Sequence, residues 1–253
     1  MFRHATNTIS TPLQKRMEKR QWVIHKVNLI RYADDFIITG ASEALLKNEV
    51  KPVVETFLQA RGLQLAPEKT TIKHITEGFN FPGQNIRKQG QRQTCLIKPS
   101  KENIAAFLSK TRRLIKQNIG IKQVNLIGLL NPLIQGWVNY HRHVCAKKVF
   151  SQVDHEIWKA LWTWCCRRHP DKGKRWIKNR YFSRRSTRNW IFSAEKSIRW
   201  PDGNPVVICL RKASDTPIRR HIKIISQTNP YDPAWERQRQ ARKMLYTLTG
   251  RKK

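Results

Sequence analysis

An α+β fold is predicted for this chain of 253 residues, on three observations. Two runs rich in β-branched and aromatic residues, VNLIRYA and FIITG, flank a tight break that holds two adjacent acids, the pattern of a hairpin with the acids at its tip. Between residues 63 and 97, short apolar runs alternate with Gly and Pro, as in small strands and turns. From residue 100 onward, apolar residues recur at steps of three and four through three successive segments, the pattern of amphipathic helices in a small bundle.

The elements follow in order. Residues 1–20 carry no clear period and read as a lead-in. The hairpin runs from Gln21 to Thr39. A helix follows from Ser42 to Ala60, with Ser42 as N-cap, apolar residues at 45, 46, 50, 53, 54, 57 and 58, and Gly62 just past its end. Pro52 in its middle is expected to kink it. A new unit opens at Pro99-Ser100, where Ser100 caps a helix whose apolar face is Ile104, Phe107, Leu108, Thr111, Leu114 and Ile115, ending at Asn118 and Gly120. The second helical region places Val124, Ile127, Leu130, Ile134, Trp137, Val138 and His141 on one face and is interrupted by Pro132. The third runs from Lys147 to about Arg168, with Val149, Phe150, Val153, Ile157, Leu161 and Trp164 inward. Beyond it, VVICL at 206–210 and IKII at 222–225 read as short strands, and RQRQARKMLYTLTGRKK as a terminal helix.

Charge narrows the function. The chain holds 50 Lys and Arg against 17 Asp and Glu, a formal net charge of +33. Residues 1–100 account for +8 and residues 101–253 for +25, and residues 165–200 alone hold 12 bases and 2 acids, interleaved with Trp176, Tyr181, Phe182, Trp190 and Phe192. A disordered basic tail is usually poor in Trp, whereas this chain has nine. Basic and aromatic residues together indicate a folded nucleic-acid-binding surface. No apolar run approaches the roughly 20 residues that span a bilayer, and MFRHATNTIS has no apolar signal core, so no membrane role and a cytoplasmic location of bacterial type are expected, with an organelle as the open alternative. The five cysteines form no framework spacing and read as reduced, small apolar core residues.

The acids Asp34 and Asp35 stand out because carboxylates are scarce. Two carboxylates side by side at a strand turn can clamp Mg²⁺, a hard cation bound through carboxylate and phosphate oxygens. Taken bare, such a pair is also what a solvated loop or a helix cap would carry. YADD followed by FIITG resembles the active-site motif of reverse transcriptases encoded by group II introns. GLQLAPEKTTIK at 62–73 and GFNFPG at 78–83 are similar to the next two palm motifs of that family. LIGLLNPLIQGWVNYHRHVCAKKVF at 126–150 is similar to its maturase domain, domain X, and NPYDPAWE at 229–236 to the segment after it. The resemblance runs from about residue 20 to about residue 240.

It implies a partial reverse-transcriptase palm at 21–98, a thumb/maturase domain at 99–200 and a basic segment at 201–253. Asp34 and Asp35 would then be catalytic and Mg²⁺-binding, but only in a completed palm, since the family takes a third carboxylate from an upstream motif. Glu18 is the only acid before YADD, and its surroundings, KRMEKRQW, do not resemble that motif. Pro82 and Gln84 stand where relatives carry bulky apolar residues in the primer-holding hairpin; either Pro82 distorts that hairpin and the primer grip has decayed, or the hairpin tolerates the change at an edge. Lys69, in PEKT, is the matching basic residue that could meet backbone phosphate. On the maturase domain, Arg112, Arg113, Lys116, Arg142, Arg167, Arg168, Lys172, Lys174, Arg175 and Lys178 form the candidate RNA-binding face. Single members of such a face are as readily solvated surface charges. Trp137, Trp158, Trp162, Trp164 and His141 read as core, and His141, His143 and Cys145 fall on different faces of one helix, which argues against zinc.

Three readings stay open at this stage. The first is a maturase that binds structured intron RNA and promotes its folding and splicing. The second is the C-terminal part of an RNA-directed DNA polymerase, inactive alone, completed by a missing N-terminal part and using a DNA target or primer; an N-terminal reverse-transcriptase fragment or a homo-oligomer are the partners this leaves open. The third is a non-functional remnant. No cysteine follows Cys209, so the Cys-rich nuclease of many relatives is not expected.

Overall fold

The computed structural model describes residues 27–32, 34–185, 187–220 and 232–250. They divide into two units: residues up to Pro82 with Ile86–Cys95, and Gly83–Asn85 with Leu96 onward. The lead-in, the first residues of the expected hairpin and the IKII strand lie outside the described residues.

In the first unit, β1 (Asn28–Tyr32) and β2 (Asp35–Thr39) pair antiparallel, Ile30 opposite Ile37 and Tyr32 opposite Asp35. Alternation turns Leu29, Phe36 and Ile38 toward buried Val27, Leu45, Val50 and Val54. The helical stretch opens at Ser42, whose hydroxyl accepts from Leu45 N at 3.3 Å. The kink expected at Pro52 is instead a π-helical turn. The segment runs through Glu43–Leu45, the π turn Leu46–Val50 and then α1 (Lys51–Gln59). Lys51 N–H reaches back five residues to the Leu46 carbonyl, and Pro52, which has no N–H, follows directly after this wide turn in the first turn of α1. Gly62, at φ +70, ends the helix as Leu63 N donates to Leu58 O and Gly62 N to Gln59 O, both at 3.0 Å.

β3 (Phe79–Phe81), β4 (Gln84–Gln89) and β5 (Thr94–Pro99) form a sheet in that order. Pro82 does not distort it. It lies with Gly83 in the two-residue connection between β3 and β4, outside the ladder, so no strand bond is lost. Gly83 has φ +73, and a Cβ there would stand 2.9 Å from Asn103 Nδ2, so both conformation and space require glycine.

The second unit is built on α2 (Lys101–Gln117), α3 (Gln123–His141) and α4 (Lys147–Arg168). Ser100 caps α2, its hydroxyl accepting from Asn103 N at 3.1 Å. α3 is continuous through Pro132 rather than interrupted. Pro132 is exposed, and the carbonyl it leaves without a helical donor belongs to Gly128, also exposed. Leu126, Ile127, Leu130, Ile134 and Val138 of α3 are completely buried against Phe107, Leu108 and Ile115 of α2 and Phe150, Val153, Ile157 and Leu161 of α4. Polar bonds fix the junctions. Trp137 Nε1 donates to Asn103 Oδ1 at 2.8 Å, and Trp164 Nε1 to Asn118 O at 2.9 Å.

The basic run after α4, which periodicity leaves shapeless, folds as α5 (Lys174–Tyr181) and an antiparallel meander of β6 (Phe182–Arg185), β7 (Arg188–Arg199) and β8 (Pro205–Cys209). Ile177, Tyr181, Phe182 and Phe192 close the core. The chain then returns over the bundle as a strap. Asn131 Nδ2 donates to Cys209 O at 3.0 Å, and its Oδ1 accepts from Arg211 N at 2.8 Å. Both carboxylate oxygens of Asp154 accept backbone amides, from Ala213 at 2.7 Å and Ser214 at 2.9 Å. Asp232 caps a short turn (Pro233–Trp235) that leads into α6 (Glu236–Gly250).

The Asp154 clamp holds fully buried Ala213 in place. Asp154→Ala removes two charge-assisted bonds and is expected to lower stability by about 2–4 kcal/mol in urea unfolding, with Asp154→Asn intermediate.

Candidate nucleic-acid interface

Of the sequence-predicted residues, Asp34, Asp35 and Lys69 belong to the first unit and the rest to the second. Asp34 occupies the turn of the β1–β2 hairpin and Asp35 opens β2 opposite Tyr32; both are exposed. Among the described residues no three His, Cys, Asp or Glu side chains gather as a metal site. The adjacent pair suits Mg²⁺ in the manner usual for that ion, one or two carboxylates with water and substrate phosphates supplying the rest. Lys69 is exposed in the turn after Ala66, its amide bonded to the Ala66 carbonyl at 3.1 Å.

Three of the ten candidates on the second unit converge. α2 packs along α4, and between them lies a cleft of about 310 Å³. Arg112 and Lys116 line it from α2 and Arg167 from α4, over an apolar floor that includes Ile115, Ala160 and Trp164. Sequence reasoning missed Lys159, the fourth cation of this cleft. A helical projection could have found it, because Glu156, Lys159, Thr163 and Arg167 recur at steps of three and four. Glu156 is bracketed by Arg112 at 2.7 Å and Lys159 at 3.0 Å, and the bonds from Lys159 and then Arg112 hold its carboxyl below the usual range. One acid thus positions two of the four cations and leaves the cleft positive.

The other candidates are dispersed. Arg113 and Arg142 are exposed away from this cleft. Lys172 lies 5.9 Å over the Trp176 ring, and Lys178 lies 4.8 Å over Trp190. Lys174 and Arg175 are exposed in the first turn of α5, which has no acid there, an unfavourable order for the helix dipole. Arg168 differs from its neighbour Arg167. Its guanidinium donates to Ile119 O at 3.0 Å and to Ile121 O, and stacks 4.6 Å over Trp164. It ties the α2–α3 connection to α4.

The residues read as core divide. Trp164 and His141 are fully inside the core, whereas Trp137, Trp158 and Trp162 are half-buried and pack against it from its edge. Of the cysteines only Cys165 is buried, its thiol pushed up to about 12 by burial and then by Cys166. Cys95 and Cys145 are exposed, which corrects their reading as core. His141 Nε2 lies 2.9 Å from Asn103 Oδ1, with Nδ1 buried and without a partner. Burial, and then His143, push its pKa down to about 4.

One unit is thus a basic helical bundle with a cation-lined cleft, and the other carries a hairpin with two adjacent exposed acids. Residues 104–182 match the family described as "Group II intron, maturase-specific domain", and residues 1–86 match "Reverse transcriptase (RNA-dependent DNA polymerase)". No curated protein matches the chain. The chain thus carries the maturase-specific domain of group II intron maturases together with a partial reverse-transcriptase domain, and the maturase domain implies binding to intron RNA. No helix among the described residues is long and apolar enough to cross a membrane.

Two outcomes follow. Arg168→Gln is expected to destabilise the protein by roughly 1.5–3 kcal/mol by leaving two carbonyls without their donor, while Arg167→Gln stays within about 0.5 kcal/mol, both read by urea unfolding. His141 stays neutral in the folded state but takes a proton on unfolding at an ordinary pKa near 6.5. Its contribution is therefore complete above pH 6.5 and is lost as pH falls toward 4. Between pH 7 and pH 5 the loss is about 2 kcal/mol, and a melting series with His141→Gln should lack that component.

Proposed function

We propose that the maturase unit grips folded intron RNA by its sugar–phosphate backbone along the α2–α4 cleft. The observation that carries this reading is the convergence of Arg112, Lys116, Lys159 and Arg167 on one concave surface around a single acid. Cations pre-positioned on rigid helices meet phosphates with less ordering cost than flexible surface charges, and displaced counterions add to affinity. The apolar floor excludes water beneath the bound phosphates, which strengthens the attraction. Lys172, Lys174, Arg175 and Lys178 extend the basic surface on and before α5, and Arg113 and Arg142 add charge elsewhere on the unit. The RNA supplies the splicing chemistry; the protein stabilises the fold in which that chemistry occurs. Arg168 acts through the fold rather than by touching RNA.

The palm part supports a second role. Asp34 and Asp35 stand together at an exposed hairpin tip, as nucleotidyl transfer requires of two of its carboxylates. Mg²⁺ bound there would activate a 3′ hydroxyl and support the leaving phosphate once further acids complete the set. A separate N-terminal reverse-transcriptase piece would provide them, with Lys69 meeting the backbone of a DNA primer or target.

The cleft is tested by Arg112→Gln, Lys116→Gln and Arg167→Gln combined. Wild type should prefer its cognate intron to an unrelated structured RNA of equal length at physiological salt. The triple variant should bind both more weakly, its log affinity falling less steeply with log salt by about 0.7–0.9 for each phosphate it no longer neutralises. Wild-type curves that coincide for the two RNAs at every salt concentration would reduce the protein to a nonspecific polycation, and an unchanged slope in the variant would move the phosphate-binding surface elsewhere.

A further inference from the structure

α4 carries a second surface beside the cleft. His155, Trp158 and Trp162 recur at three- and four-residue steps, and their rings run nearly parallel, 11° and 10° between successive planes with centroids 6.2 and 6.1 Å apart. Trp190, from β7, stands across this row, 5.7 Å from Trp158 at 82° and 5.5 Å from Trp162 at 72°. Lys178 places its ammonium 4.8 Å over the Trp190 ring. His155 is exposed, Trp190 is 37% exposed, and Trp158 and Trp162 are half-buried.

Two observations separate this strip from ordinary core. First, the tryptophans that serve the core use their indole N–H groups, Trp137 on Asn103 and Trp164 on Asn118. Among the described residues, Trp158, Trp162 and Trp190 donate to no protein acceptor, which leaves those polar edges to solvent or a ligand. Second, the backbone at Trp190 is strained. Ser183 pairs with Ile191 and Arg185 with Arg188, so Asn189 and Trp190 together face the single residue Arg184. That is a bulge, and Trp190 adopts φ +63, a left-handed position that glycine ordinarily fills at such sites. Bulges re-aim side chains, and strained residues persist where the surroundings over-determine them. Here the bulge lays an indole against the ring row of α4.

Resting on the reading of this unit as an intron-RNA binder, we infer that the strip of His155, Trp158, Trp162 and Trp190 seats unpaired bases of that RNA. Flat aromatic faces accept any base, and an amine over one ring adds attraction for the phosphate between two bases. Duplex RNA keeps its base faces stacked inside the helix, so only loops, bulges and ends can use the strip. The carrying elements favour a polyanion over an apolar peptide, since α5 and β6 hold Lys174, Arg175, Arg180, Arg184 and Arg185 and no acid. The cleft holds phosphate; the strip distinguishes unpaired from paired.

The test uses the full chain with two labelled probes of equal phosphate number, oligoadenylate and a blunt RNA duplex, at physiological salt. Wild type should bind oligoadenylate more tightly than duplex, and oligoadenylate should quench tryptophan emission where duplex does not. Trp190→Leu should weaken oligoadenylate binding about tenfold while duplex binding changes less than about twofold, and Trp190→Phe should recover most of the loss. Leucine meets the same backbone strain as tryptophan, so equal melting curves for the two variants show that the fold is retained. No preference in wild type, or an equal loss on both probes in Trp190→Leu, overturns the base seat. Should Trp190→Leu fail to fold, the wild-type quenching comparison decides alone. Cognate-intron preference is scored separately, so its failure sinks the maturase reading while the oligoadenylate result still stands or falls by itself.

Discussion

Burial of one complete face of α3 is the constraint on which the second unit depends. Five of its aliphatic side chains, Leu126, Ile127, Leu130, Ile134 and Val138, are wholly removed from solvent. Each such burial contributes roughly 1.5–3 kcal/mol, so no neighbouring element can leave that face uncovered. α2 and α4 cover much of it, and the strap after β8 is pinned to the same helix by Asn131. The matched maturase-specific segment ends at residue 182, but Phe192 and Ala213 are part of its core. Folding of the bundle therefore involves chain well beyond that match.

α4 performs three tasks through its periodicity. Phe150, Val153, Ile157, Leu161 and Trp164 face the core; Glu156, Lys159, Thr163 and Arg167 face the cleft; His155, Trp158 and Trp162 form the aromatic row. A helix of 22 residues has room for all three because side chains at three- and four-residue steps share a face. One consequence is that adjacent arginines do different work. Arg167 points into the cleft, and Arg168, about 100° further round the helix, ties down the connection between α2 and α3. Charge alone does not tell them apart.

The two units face opposite demands. The hairpin of the first unit places two scarce acids at an exposed tip in a basic chain. The second gathers cations and permits an acid in its cleft only where that acid organises them. Glu156 offsets some of the positive charge there but fixes the geometry of Arg112 and Lys159.

Local patterns determined much of this protein from sequence. Ser42 and Ser100 cap helices because their hydroxyls reach amides three residues on, Gly62 ends one because only a left-handed residue closes that turn, and apolar spacing marks the inward faces of α2, α3 and α4. The prolines depart from their sequence reading because their effect depends on position. Pro52 falls where a helix turn begins, Pro82 in a connection between strands, and Pro132 on an exposed helix face. Tertiary structure alone decided which cations converge, because Lys159 and Lys116 meet only when α4 packs on α2. It likewise decided that Trp158 and Trp162 lie half-open beside Trp190, a partner distant in sequence brought there by a bulge. Spacing along one helix names a face; what lies against that face is set by the rest of the chain.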